Sequence, residues 1–385
     1  MSTDVIAPPV LVPEGTAAAD FDRVSVATQW QLVWWRFRKH KLALVSVSIL
    51  AVFYVVVIFA DFLAYADPLA SEAQRSLIAP QALRFGSADG GFGLSVDSLV
   101  GARDPQTFKR VYVADSTHRV SVRLFAHGYE YRLLGLIPMD VHLLGVDGDG
   151  RTAENSLFLL GTDVQGRDQW SRLMQATQVS MLIGLTSVAV SLVLGVLLGG
   201  LAGYFGGLID LLVMRVVEIL RSIPTIPLWM GIGAALPKEW DIMRVFFVMT
   251  LIFALIQWTE LARVVRGRFL SLREEDFVMA AELAGCSRLR IIFRHLVPSF
   301  LSHIIAATTL ALPTIIIFET SLSFLGLGLR PPAISWGVML QQASNVQTLA
   351  ISPWLLLPAI PVILAILAFN FLGDGLRDAA DPYGI

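Results

Sequence analysis

A single cysteine, Cys286, and only four lysines, Lys39, Lys41, Lys109 and Lys238, occur in a chain of 385 residues. One thiol excludes an intrachain disulfide framework and any metal cluster built on cysteine alone. In its helical surroundings Cys286 reads as a packing residue. None of the lysines follows a glycine, so the phosphate-cradling loop ending in Gly-Lys is absent and the chain cannot supply that kind of ATP site by itself. The six histidines, His40, His118, His127, His142, His295 and His303, form no HExxH pair and no cluster at ligand spacing. A zinc hydrolase therefore lacks sequence support. Charge is scarce as well: 16% of residues are charged and the formal net charge is -2, leaving no global field to attract nucleic acid.

Apolar residues are what the chain has in quantity. A hydrophobic content of 55% and a mean hydropathy of +0.66 exclude a disordered chain and argue against an ordinary cytosolic domain. Residues 42–60 carry no charge, a length that suits one bilayer crossing. The segment begins only after residue 41 and no small-residue cleavage pattern follows, so it reads as a retained anchor and not a signal peptide. A second spanning helix is expected from Leu173 to Ala202, with a turn at Gly203 to Gly207. A third starts near Leu208, its uncharged part running from Ser222 to Pro237. The fourth is centred on 245–259, the fifth on 295–318 and the sixth on Trp354 to Leu372, giving six in all.

Pro331 to Ala350 is open between a loop and a re-entrant element, and Pro358 and Pro361 should bend the sixth helix. Arg215, Glu218 and Arg221 fall at helical spacing and are expected to pair along one face. Glu218, Glu260 and Glu319 lie near estimated helix ends, where interfacial exposure or local pairing explains them better than a proton relay.

Basic residues set the orientation. Arg23, Arg36, Arg38, Lys39 and Lys41 precede the first span, and Arg263, Arg266, Arg268, Arg273, Arg288, Arg290 and Arg294 fall between 261 and 300. Only Lys238, Arg244 and Arg330 lie in the opposite short loops. The asymmetry places both termini and the 261–300 segment in the cytoplasm. The stretch from 65 to 172 then lies outside. Within it Phe108 to Ala114 and Arg119 to Phe125 read as strands around Asp115-Ser116-Thr117-His118, with Tyr129 to Leu134 as a third. The acidic Val146 to Gly150 lacks the ligand series of a calcium loop and reads as a turn. The first thirty residues read as a mobile tail, and Thr28 to His40 as an amphipathic helix at the inner surface.

Residues 271–298 read SLREEDFVMAAELAGCSRLRIIFRHLVP. Phe277 to Ala284 favours helix, Gly285 interrupts it, and Ser287 can cap a second helix. Such a charged, amphipathic segment is either an inner-surface docking element or a solvated loop resting on its own bundle, and periodicity leaves the two open. The stretch resembles the EAA loop of ATP-binding-cassette importer permeases, and its wording is close to that of the second permease of dipeptide and oligopeptide uptake systems. LGTDVQGRDQWSR at 160–172, RVVRGRFLSL at 263–272, SLSFLGLGLRPPAISWGVML at 321–340 and AFNFLGDGLRDAADP at 368–382 resemble further motifs of that family, in the right order. Met279 stands where the family commonly has glutamate, and Leu296-Val297 replaces the usual Ile-Leu before the proline.

The resemblance implies an all-α polytopic membrane protein: a six-helix type I importer transmembrane domain with a small mixed or β-containing extracytoplasmic insert between helices 1 and 2. Its parts are a cytoplasmic tail and elbow helix over 1–41, helix 1 over 42–64, the insert over 65–172, helices 2–6 over 173–373 with the coupling loop at 263–300, and a cytoplasmic tail over 374–385. In the family this loop docks in a groove of the ATPase, which maps coupling to Phe277, Ala280, Ala281, Gly285, Arg294, His295 and Pro298. For His295 a packing or interface role is favoured over a catalytic one.

The implied chain is a non-catalytic subunit without cofactor, since ATP and Mg belong to the partner ATPases. The implied partners are a homologous permease, two ATPase subunits or domains, an extracytoplasmic solute-binding protein and membrane lipid, in a bacterial or archaeal cytoplasmic membrane. The implied cargo is di- or oligopeptide, with nickel chelates or oligosaccharides as the alternatives among relatives. Two other readings are a membrane-anchored enzyme whose outer segment is the active unit, and a non-transporting assembly protein. The coupling-loop signature speaks against both.

Overall fold

A computed structural model of the chain describes residues 29–86, 93–103, 105, 110–146, 156–237 and 239–380. The expected N-terminal tail, up to residue 28, and Asp147 to Gly150 of the acidic turn lie outside the described residues.

A short helix α1 (Gln29–Phe37) carries Trp34 and Trp35 on its exposed side and falls where the amphipathic helix is expected. The first long helix, α2 (Lys41–Ile58), starts where the His40 ring accepts the Ala43 amide at 3.1 Å. Its body is uninterrupted apolar sequence, and a single turn, α3 (Ala60–Leu63), follows it. The chain then leaves the helices to build an antiparallel sheet in the order β1 (Arg84–Phe85), β2 (Leu94–Arg103), β3 (Arg110–Leu133), β4 (Ile137–Val146).

The two hairpin arms expected around Asp115 to His118 are one strand, β3, which also absorbs most of Tyr129 to Leu134. Asp97 pairs with Arg119 while Ser98 pairs with Asp115, so Ser116, Thr117 and His118 bulge out without reversing the chain. Asp115 closes that bulge by accepting the Thr117 amide at 2.9 Å and meeting the His118 ring at 2.8 Å. Thr117 and then His118 hold the Asp115 carboxyl down to about 2. Val96, Val120, Val122 and Leu157 form a small core under this sheet.

The long helices follow. Asp168 caps α4 (Gln169–Phe205) by accepting the Ser171 amide at 2.7 Å, and Gly206, at a φ of +65°, ends it. Along α4 the glycines 195, 199 and 203 lie on one stripe against α7 (Ile242–Leu272). A Cβ on Gly199 would lie 2.4 Å from the Ala262 carbonyl, so the two helices approach closely because small residues line the contact.

Between them the expected third span is divided into α5 (Gly207–Ser222) and α6 (Thr225–Ala235). Pro224 has no N–H to continue α5, and its fixed φ suits the start of a new helix instead. The expected pairing on α5 is realised for Arg215 and Glu218 at 2.9 Å, whereas Arg221 reaches across to Glu260 of α7. After α7 come two short helices, described below, then α10 (Leu301–Phe324), α11 (Trp336–Gln341), α12 (Val346–Ile351) and α13 (Ala359–Ala380).

Among the described residues five helices are long and apolar enough to cross a membrane, over Lys41–Ile58, Gln169–Phe205, Met243–Leu272, Leu301–Phe324 and Pro353–Ala379. They pack around Phe53, Met181, Phe253, Ile316, Trp336 and Phe369. The region Pro331 to Ala350 is neither plain loop nor spanning helix but carries α11, which is buried against α4 and α10. Glu319, expected near an interface, is 1% exposed within α10. Its carboxylate accepts Ser323 Oγ at 2.9 Å and Ser180 Oγ at 3.1 Å, so hydroxyl donors replace water around it.

Candidate coupling surface

Residues 273–300 join α7 to α10 at one end of the bundle, opposite the sheet. Glu275 precedes α8 (Asp276–Leu283), and the helix stops at Ala284 because Gly285 takes a φ of +75°. That conformation suits glycine, and nothing lies within 4 Å of where a Cβ would stand, so the requirement is on the backbone and not on space. Ser287 then caps α9 (Arg288–Ile291) through the Arg290 amide at 3.4 Å.

The chain widens into a π-turn over Ile292–Leu296 and tightens again over Val297–Ser299. Pro298 accounts for the widening: it has no N–H for the Arg294 carbonyl, and its ring crowds that carbonyl outward.

One side of the segment is built into the protein. Val278, Ala281, Ile291, Ile292 and Leu296 are buried against Leu261, Val265 and Phe269 of α7 and against Phe300 and Ile304. Two contacts from the last turn of α4 fasten it: Tyr204 Oη donates to Glu282 at 2.7 Å, and the Arg288 guanidinium lies 5.6 Å from the Phe205 ring centroid. Beside it Arg266 holds Asp210 of α5 through two hydrogen bonds, one of 2.6 Å.

The other side has no cover among the described residues. Phe277, Met279, Leu289 and Phe293 are exposed, and Leu283 is 90% exposed. Of the seven residues that the sequence points to, Ala281 faces inward and His295 is half-buried, while Phe277, Ala280, Gly285, Arg294 and Pro298 are exposed. The exposed Leu283 and the fastening pair Tyr204 and Glu282 were not singled out in the sequence, and Leu289 and Phe293 stood there only as apolar residues of the second helix. An eight-residue helix followed by a four-residue one is too short for periodicity to separate an inner face from an outer one. Met279 is also exposed, so a carboxylate there would face outward.

At the opposite end the motif LGTDVQGRDQWSR folds into a buried polar clasp. Asp163, fully buried, accepts Arg167 Nε and Nη2, each at 2.7 Å, and Gln342 Nε2 at 3.1 Å, while Arg172 lies 3.7 Å away. Its other oxygen accepts the amides of Gln165 and Arg167. Asp168 accepts the Tyr65 hydroxyl at 2.8 Å, and burial pushes its carboxyl up to about 6. Trp354 Nε1 donates to the Thr162 carbonyl at 2.9 Å, tying this loop to the start of the last span. The SFLGLGLRPP stretch is a packing turn: a Cβ on Gly233 would lie 1.8 Å from the Leu327 carbonyl, and Arg330 Nε donates to the Gly326 carbonyl.

Comparison with known proteins fits this layout. The family profile described as binding-protein-dependent transport system inner membrane component matches residues 195–383, which contain the whole 273–300 segment. The N-terminal TM domain of oligopeptide transport permease C matches residues 28–80. An oligopeptide transport system permease protein OppC of Haemophilus influenzae is 39% identical over 223 residues, covering 58% of this chain and 69% of its own. A putative peptide permease protein of Brucella suis is 35% identical, covering 64% and 78% respectively. OppC of Bacillus subtilis is 35% identical, covering 58% and 70%. A solved structure of the MetNI methionine ABC transporter in an inward-facing conformation shares 20% identity with a TM-score of 0.40, over 54% of this chain and 95% of that one. The chain is a multi-pass inner-membrane protein and belongs to the family of binding-protein-dependent transport system inner membrane components, as an OppC-like permease of an ABC importer.

Proposed function

We propose that this permease forms half of the translocation path for di- or oligopeptides and is driven by separate ATPase subunits that grip residues 276–298. The observation that carries the reading is the two-sided build of that segment. Its inner face is fixed to α7 and α10, while Phe277, Met279, Leu283, Leu289 and Phe293 have no cover among the described residues. A push on the outer face would reach the spans through a rigid apolar contact. Phe277, Ala280, Gly285, Arg294, His295 and Pro298 then line the docking side, and Ala281 the fixed side.

In this reading residues 1–41, 263–300 and 374–385 lie on the cytoplasmic side and 65–172 outside. A homologous permease completes the path, and an external solute-binding protein delivers the ligand. Closure of the ATP-loaded subunits would shift the path between inward and outward access, a population shift driven by differential binding. ATP and Mg remain with those partners. The peptide class comes from the similarity to peptide permeases; nickel chelates and oligosaccharides are the alternative cargoes.

Reconstitution with the neighbouring permease, ATPases and binding protein tests this, comparing the three cargoes with and without ATP. Peptide uptake is expected, and it should be lost in Gly285→Glu while membrane insertion persists. Uptake of another cargo alone would overturn the peptide assignment, and normal uptake by the variant would overturn the coupling role of Gly285.

A further inference from the structure

The sheet between α3 and α4 carries an apolar point with no role in the reading above. Phe125 of β3 is 63% exposed, and its neighbour Leu124 is also exposed. Phe125 has a φ of +55°, a conformation that side chains with a Cβ rarely adopt, so the backbone holds this ring in place against its own preference. The ring lies 6.1 Å from Phe62, and Phe62 lies 6.4 Å from Phe59. Phe59 continues the side of α2 on which Val52, Val55 and Ile58 are exposed. An unbroken apolar strip therefore runs from the first span onto the sheet.

The level of that strip relative to the membrane follows from length. The helix over Lys41–Ile58 covers about 27 Å at ~1.5 Å per residue, close to the ~30 Å of a hydrocarbon core. With Lys41 at one boundary, Phe59 and Phe62 stand at the other. Trp170 is at the same level, since its Nε1 donates to the Leu63 carbonyl at 2.9 Å. Trp240 and Trp354 likewise sit at span ends on the sheet side. Aromatic rings gathered at one height are the mark of a membrane–water boundary.

We infer that Phe125 is a membrane anchor of the sheet: it enters the boundary between headgroups and acyl chains beside the end of the first span, and its partner is phospholipid. The sheet would then lie against the bilayer at this point instead of projecting freely into water. The inference needs only that α2 spans the membrane, and stands apart from the cargo and from the coupling role of residues 276–298.

Phe125→Cys in a Cys286→Ser background, labelled with an environment-sensitive fluorophore, tests it in the full transport complex reconstituted into phosphatidylethanolamine–phosphatidylglycerol vesicles. Brominated acyl chains should remove most of the emission at position 125, with aqueous iodide having little effect. His118→Cys, on the polar bulge, should show the reverse. Iodide quenching at 125 equal to that at 118 would overturn the proposal in favour of a ring in water. Resistance to both quenchers would overturn it in favour of a covering protein. The unsubstituted complex gives an independent reading: a phospholipid with a diazirine in its acyl chain should label the tryptic peptide Leu124 to Arg132. An unlabelled peptide, in a sample where the first span is labelled, contradicts the anchor.

Discussion

The two ends of the helical bundle are finished differently. At the sheet end Asp163 is bonded to Arg167 and Gln342, and Asp168 to Tyr65, inside the protein, and Trp354 pins the last span to the same loop. At the other end residues 276–298 are fixed on one side only, with large apolar side chains on the other. A region whose bonds are closed internally holds the fold. A region that stops halfway leaves room for a second molecule. The difference separates residues whose loss should cost stability from residues whose loss should cost function alone.

The largest expected effect is at Asp163. Asp163→Ala leaves Arg167 and Arg172 buried without their carboxylate and should destabilise the protein by about 3 to 5 kcal/mol, read as loss of the folded permease in a thermal-stability assay.

Next comes Asp168, whose folded carboxyl titrates near 6, above an ordinary aspartate. The raised value favours the folded state fully below about pH 4, and that advantage, about 3 kcal/mol, fades as pH rises through about 6. Asp168→Asn keeps a capping side chain and cannot ionise, so its stability relative to the unsubstituted chain should improve between pH 4.5 and pH 7.5. A parallel pH profile for the two would refute this.

At the other end Gly285→Ala should cost about 1 to 2 kcal/mol through its positive φ, with Gly285→Asn closer to the parent. Smallest in stability is Leu283→Ser, within about 0.5 kcal/mol, since the side chain is 90% exposed among the described residues. The same variant should nevertheless lose ATP-dependent uptake. A melting temperature lowered as far as by Asp163→Ala would erase the contrast between the two ends.

The spans were legible because long uncharged runs leave few alternatives, and four of the later five helices fall where hydropathy places them. The division at Pro224 was not, since residues on both sides are apolar and only the backbone shows where a helix restarts. Asp115 to His118 has the composition of a turn, yet a three-residue bulge satisfies the same side chains without reversing β3. The burial of Glu319 was not legible because one of its two serine donors, Ser180, comes from a helix more than a hundred positions away. Residues 271–298 stood out through their charge, their Gly285 break and their resemblance to a known loop. Which of their faces is free depends on Leu261, Val265 and Phe269, distant in sequence and invisible to local pattern.

The most direct measurement is site-specific cross-linking from Leu283→Cys, in a Cys286→Ser background, within the purified transport complex. A short bifunctional reagent should join this position to an ATPase subunit, and adding that subunit should shield it from a water-soluble maleimide. Equal maleimide reaction with and without the ATPase, and no cross-linked product in a complex that still transports, would contradict the account.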